Sequence, residues 1–165
     1  MTKSRNEKGF TLIELIIVIS ILAIISSGIA YLVTTISYMD PFKAATMLNH
    51  TMEKVRIESM SKTEKSYLYI YNKDEAIYYK VSSNSDAERA GLDVESGTKL
   101  GKGINVYYKE IDGVETKLED DGTICVYFTK SSGAFASDIE YIRCTARGKQ
   151  ATLFCVKETG RRMIN

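Results

Sequence analysis

The chain has 165 residues, with 22 Lys or Arg against 21 Asp or Glu, a formal net charge of +1 and 44% hydrophobic residues. Once one strongly apolar segment near the amino terminus is set aside, about 100 residues remain to build a core, which allows one small domain and excludes two. Eleven Tyr and no Trp point that domain toward a half-buried sheet and away from an all-helical body.

Met1 to Gly9 carries Lys3, Arg5 and Lys8 against Glu7, a balance that holds this end on the cytoplasmic side of a membrane. From Phe10 to Val33 the only polar residues are Thr11, Glu14, Ser20, Ser26 and Ser27. A helix of that length rises about 36 Å, enough to cross a hydrocarbon core with the amino terminus inside and the rest of the chain outside. A secretory signal peptide has a shorter apolar core followed by a small-residue cleavage site. Here the small residue, Gly9, precedes the apolar run. Glu14 is the costly feature: a carboxylate at the centre of a membrane helix costs about 2.5–3.5 kcal/mol, less near the interface, and needs something to offset it.

The contiguous run Lys8, Gly9, Phe10, Thr11, Leu12, Ile13, Glu14 resembles the cleavage and N-methylation motif of type IV prepilins and type II secretion pseudopilins. The resemblance implies that a prepilin peptidase removes residues 1–9 by cutting between Gly9 and Phe10, and that Phe10 becomes N-methylated. Glu14 is then the fifth mature residue, and a neighbouring subunit's Phe10 ammonium would pair with it as helices pack into a filament. The implied fold is α+β and pilin-like: a long N-terminal α-helix, its first half membrane-spanning, packed on a C-terminal antiparallel β-sheet domain. The implied partners are the prepilin peptidase, other pilin or pseudopilin subunits, the inner-membrane assembly platform and membrane lipid. The implied location is the bacterial inner membrane and then a pilus or pseudopilus.

The expected divisions are a leader at 1–9, a transmembrane and assembly helix at 10–36, an amphipathic continuation of that helix at 37–62 and a β-rich exported domain at 63–165. Gly28 permits local unwinding or a close helix contact. In the continuation, Phe42, Ala45, Leu48, Met52, Val55 and Ser59 form one stripe at helical spacing. Asp40-Pro41 is read as a kink near Tyr38 in one helix, not a domain boundary, because proline removes one backbone donor.

Past Lys62 the period changes. SYLYIYN, EAIYYKVS, INVYYKE, TICVYFT, IEYIRCTA and ATLFCVKE are rich in Tyr, Ile, Val and Thr and read as strands. Turn residues at Asn72-Lys73-Asp74, Asp112-Gly113, Asp120-Asp121-Gly122, Ser132-Gly133 and Arg147-Gly148-Lys149 join them into antiparallel hairpins. Ser82 to Gly103 has few large apolar residues and reads as a surface excursion with one helical turn at Asp86 to Ala90.

The end of the chain, FTKSSGAFAS read as a strand and then IEYIRCTARGKQATLFCVKETGRR, resembles by pattern the H-type pseudopilin and FimT-like minor pilin domain. Ile139 to Asn165 has six Lys or Arg against Glu140 and Glu158, net +4, while Glu64 to Thr123 is net −5. Some FimT-like pilins bind DNA through an arginine-rich terminal motif, which implies Arg161 and Arg162, with Arg147 and Lys149, as phosphate contacts. The motif here is Gly160-Arg161-Arg162 followed by Met163, without the later arginine. A solvated basic face, or contact with an acidic neighbouring subunit, accounts for the same charges.

Three cysteines, Cys125, Cys144 and Cys155, fall in predicted strands. A two-residue turn at Lys149-Gln150 opposes Cys144 to Cys155 and permits a disulfide, whereas a turn at Gly148-Lys149 opposes Cys144 to Leu153 and leaves free thiols. The one histidine, His50, lies on the helix, and no CxxC, HExxH, GxSxG or phosphate-loop pattern occurs, so the sequence gives no basis for an enzyme or a cofactor. Glu119, Asp120 and Asp121 do not have EF-hand spacing and read as a polar turn, and no metal site is expected.

Overall fold

The computed structural model of the chain describes residues 12–36 and 39–165, with backbone alone for 26–36. It divides into two units, Met1–Ser37 and Tyr38–Asn165. In the first, α1 (Leu12–Ile36) is apolar throughout its described side chains apart from Glu14 and Ser20. Among the described residues no helix is long and apolar enough to cross a membrane. The described side chains of α1 end at Ile25, and Leu12–Ile25 covers about 21 Å of helix against a hydrocarbon core of about 30 Å. The expected crossing from Phe10 to Val33 therefore begins and ends beyond the side chains described.

The expected single kinked helix is corrected. A separate helix, α2 (Pro41–Ser61), begins after Met39 and Asp40, which are not helical. Asp40 is its N-cap, the carboxylate accepting from Phe42 N at 2.9 Å, and Pro41 occupies the first turn, where its missing N–H has no partner to lose. The same dipeptide that was read as a kink is a helix start, and the unit boundary falls beside it.

In the second unit the strands are β1 (Tyr67–Lys73), β2 (Ala76–Ser82), β3 (Thr98–Gly101), β4 (Asn105–Glu110), β5 (Thr116–Lys117), β6 (Thr123–Tyr127), β7 (Ile139–Ala146), β8 (Lys149–Val156) and β9 (Arg161–Ile164). They form two antiparallel sheets, ordered β3-β2-β1-β6 and β5-β4-β7-β8-β9, where the sequence reading had one. The six expected strands are all present. β3, β5 and β9 were not anticipated, and FTKSSGAFAS is not a strand but a loop closed by one bridge, Phe128 to Phe135.

Helix α2 packs on both sheets through Ala44, Ala45, Leu48, Met52, Val55 and Ser59, all buried. They share one core with Leu68, Ile70, Val106, Val126, Ile142 and Leu153. Phe42, placed on this stripe by its spacing, is instead 58% exposed, because Ala44 and Ala45 carry the first turn of contact. Of the excursion 82–103, β3 joins the sheet beside β2, and the part from Asn84 to Ser96 lies over the outer face of β1 and β2. It includes α3 (Ala87–Ala90), capped by Asp86 and ended by Gly91 in the left-handed region, as expected. Tyr69 Oη donates to Asn84 O at 2.8 Å and Tyr71 Oη to Asp93 O at 2.7 Å, so alternate tyrosines of β1 fasten this loop.

The burial pattern separates two substitutions on α2. Leu48→Ala should lower the stability of the second unit by about 2–5 kcal/mol, and Phe42→Ala by no more than about 0.5 kcal/mol. Denaturant titration of the two variants measures both, and equal losses would contradict the helix orientation.

Candidate functional site

Glu14 lies in the first described turn of α1. The helix around it exposes apolar side chains in every direction, from Leu12 at 77% through Ile16, Ile17, Val18, Ile19, Ile21 and Leu22 to Ile25 at 53%. An amphipathic helix leaves a polar face for water; α1 has none in this stretch. Its one described serine, Ser20, donates to Ile16 O at 2.7 Å and satisfies its hydroxyl within the helix. Gly9 and Phe10, the expected cleavage and methylation residues, lie outside the described residues.

The basic residues of the carboxy-terminal portion do not converge. Arg147 and Gly148 form the β7–β8 turn, both at positive φ, and Lys149 Nζ lies 4.0 Å from the Asp40 carboxylate at the start of α2. Arg161 is exposed at the other end of β8, opposite Val156, about 23 Å along the strand from Lys149. Arg162 is not an exposed residue on a flexible tail. Its side chain is 7% exposed, donates to Asn49 Oδ1 at 2.7 Å and to the Glu53 carboxylate, and lies over the Phe128 ring. The phosphate-contact expectation for Arg162 is therefore corrected: the guanidinium fastens β9 to α2. Beside it Arg56 Nε donates to Gly133 O at 2.9 Å. Gly160 packs so closely that a Cβ there would lie 2.1 Å from the same carbonyl oxygen, which explains the glycine before the arginine pair. Sequence reasoning missed this clasp; its only trace was Asn49 and Glu53 four residues apart on α2.

Tyr141 and Phe154 sit opposite one another on the half-buried outer face of β7 and β8, ring centroids 5.7 Å apart. They are neither core nor arranged around the terminal arginines. The hairpin register settles the cysteines. With the turn at Arg147-Gly148, Cys144 opposes Ala151 and Cys155 opposes Arg162, because the turn falls one residue before the alignment expected with Leu153 and two before the one expected with Cys155. Of the two alternatives the structure has the free thiols, at Cys144 and Cys155, with Cys125 also free. Burial pushes the first two from 9.0 up to about 12, since a thiolate loses its hydration there. At the end of α2, Lys62 bonds Glu58 at 3.0 Å and holds its carboxyl below the usual range. Among the described residues no group of His, Cys, Asp and Glu is placed to hold a metal ion.

A family model described as the prokaryotic N-terminal methylation motif matches residues 4–30, covering Gly9, Phe10 and Glu14. The match supports a type IV pilin-like prepilin, processed by a prepilin peptidase, assembling with other pilins and anchored at the membrane. The α+β architecture, with an N-terminal helix and antiparallel sheets, is consistent with a pilin-like fold. No curated protein and no solved structure matches the chain.

The raised thiols fix an alkaline limit. Below about pH 9 both states hold these protons. Between about pH 9 and 12 the unfolded chain loses them while the folded one keeps them, so stability falls as pH rises. Denaturant midpoints across that range should decline, and Cys144→Ala with Cys155→Ala should flatten the decline. An identical slope in the variant would show that these thiols do not couple to folding.

Proposed function

We propose that the chain is a minor structural subunit of a type IV pilus or a type II secretion pseudopilus. It is held in the inner membrane by its N-terminal helix and assembled after the leader is removed between Gly9 and Phe10 and Phe10 is N-methylated. Its role is architectural and not catalytic. The observation that carries the reading is α1: a helix with apolar side chains on all sides needs lipid or other helices around it, and its one carboxylate stands in the first turn, within the methylation motif.

Cleavage after Gly9 frees an ammonium on Phe10, four residues before Glu14. An ammonium from a neighbouring subunit is the cation that relieves Glu14 inside a bundle of apolar helices, and pairing at one depth sets the stagger of one helix against the next. DNA binding forms no part of the proposal, since Arg162 is clasped to α2 and Arg161 is separated from Arg147 and Lys149 by the length of β8.

Glu14→Ala removes the polar residue from the helix and should leave membrane abundance unchanged while reducing incorporation into sheared filaments about tenfold or more, the effect of losing a paired charge in an apolar setting. Immunoblots of membrane and filament fractions measure both. Normal incorporation of the variant would contradict the register role.

A further inference from the structure

Strand β6 ends its sheet, with β1 on one side and no strand on the other. The register identifies which backbone groups are left over. Asn72 N donates to Gly122 O at 3.0 Å, and with Ile70 opposite Ile124 and Leu68 opposite Val126, the even-numbered residues turn their N–H and C=O toward β1. The odd-numbered residues turn theirs outward, as the bond from Ala136 N to Tyr127 O at 3.0 Å shows independently. On this outer edge the N–H and C=O of Thr123 and Cys125 have no backbone partner among the described residues.

Along this edge Thr123 is exposed and Cys125 half-buried. The edge forms one wall of a slot of about 230 Å³ whose other wall is Tyr108 and Glu110 of β4 and Ser137 just before β7. Ser137 is 5% exposed, yet its Oγ has no hydrogen-bond partner, and a buried hydroxyl without one costs about 1–3 kcal/mol. Glu110 at the rim is exposed and forms no ion pair among the described residues. An open row of alternating donors and acceptors at strand spacing, a slot beside it, an unpartnered hydroxyl inside and a carboxylate at the mouth define a ligand chemistry.

We propose that the β6 edge receives an extended segment of a neighbouring subunit, which adds a strand to the β3-β2-β1-β6 sheet and sets a Lys or Arg side chain against Glu110. The added strand exchanges backbone hydrogen bonds with Thr123 and Cys125, and one of its polar groups meets Ser137 Oγ. A peptide is the fitting occupant because only another backbone repeats donors and acceptors at the spacing of an edge, and the basic residue follows from the charge of Glu110. This inference rests on the assembly-subunit reading and adds a second contact to the one made by α1.

Hydrogen exchange resolved to single amides tests it, comparing the full chain in detergent with the same chain in sheared filaments. The Thr123 and Cys125 amides should slow about tenfold or more on assembly, while those of Ile124 and Val126, already bonded to β1, change little. Thr123→Pro places proline at the first position of an edge strand with its nitrogen outward, where the fold tolerates it. It should lower incorporation several-fold while Cys144 and Cys155 stay unreactive to thiol reagents, the sign of an intact core. Filaments that contain the chain with fast Thr123 and Cys125 amides, or that accept Thr123→Pro at the wild-type level, would overturn the strand addition and leave the subunit reading standing. Absence of the chain from filaments would overturn both.

Discussion

The constraint on which the rest depends is that α1 cannot keep its side chains in water. Burying a Leu or Ile side chain gains about 1.5–3 kcal/mol over leaving it exposed, and ten such residues stand exposed between Leu12 and Ile25. Satisfying them requires lipid or a bundle of similar helices, and either makes Glu14 the residue with most at stake. A carboxylate among apolar helices is tolerated when a cation reaches it. In the proposed subunit, processing at Gly9 would supply that cation, and the methylation motif matched across 4–30 spans both Gly9 and Glu14.

The second unit satisfies a different need. Its core is built on one helix, α2, which receives both sheets through residues spaced three and four apart. Two polar contacts fix the ends of that arrangement. Asp40 caps the start of α2, and Arg162 clasps the final strand to Asn49 and Glu53 near its middle. The unit thus secures its own termini and contains its own hydrophobic centre.

Much of this was legible in the sequence because it depends on local pattern. Alternating Tyr, Ile and Val gave six strands, Asp86 and Gly91 bracketed α3, and Glu14 stood out as one charge in an apolar run. What was not legible depends on distant partners. β9 carries Arg-Arg-Met-Ile and has no alternation to announce it; it is a strand because β8 and α2 hold it. Nothing near the arginine pair in sequence shows that Asn49 and Glu53 reach Arg162. Asp40-Pro41 was read as a kink because proline serves both at helix starts and at helix bends, and only the cap geometry distinguishes them. The cysteine pairing turned on the position of the hairpin turn, which Arg147 at positive φ beside Gly148 sets two residues before the one that would oppose Cys144 to Cys155.

The central claim, that this chain is a prepilin-type subunit matured at the base of its apolar helix, is tested most directly by intact-mass spectrometry after co-expression with a prepilin peptidase. The expected product begins at Phe10 and is heavier than the unmethylated 10–165 sequence by one CH2, a methyl in place of a hydrogen. A chain that keeps Met1 to Gly9, under conditions in which a control prepilin is fully processed, would contradict it.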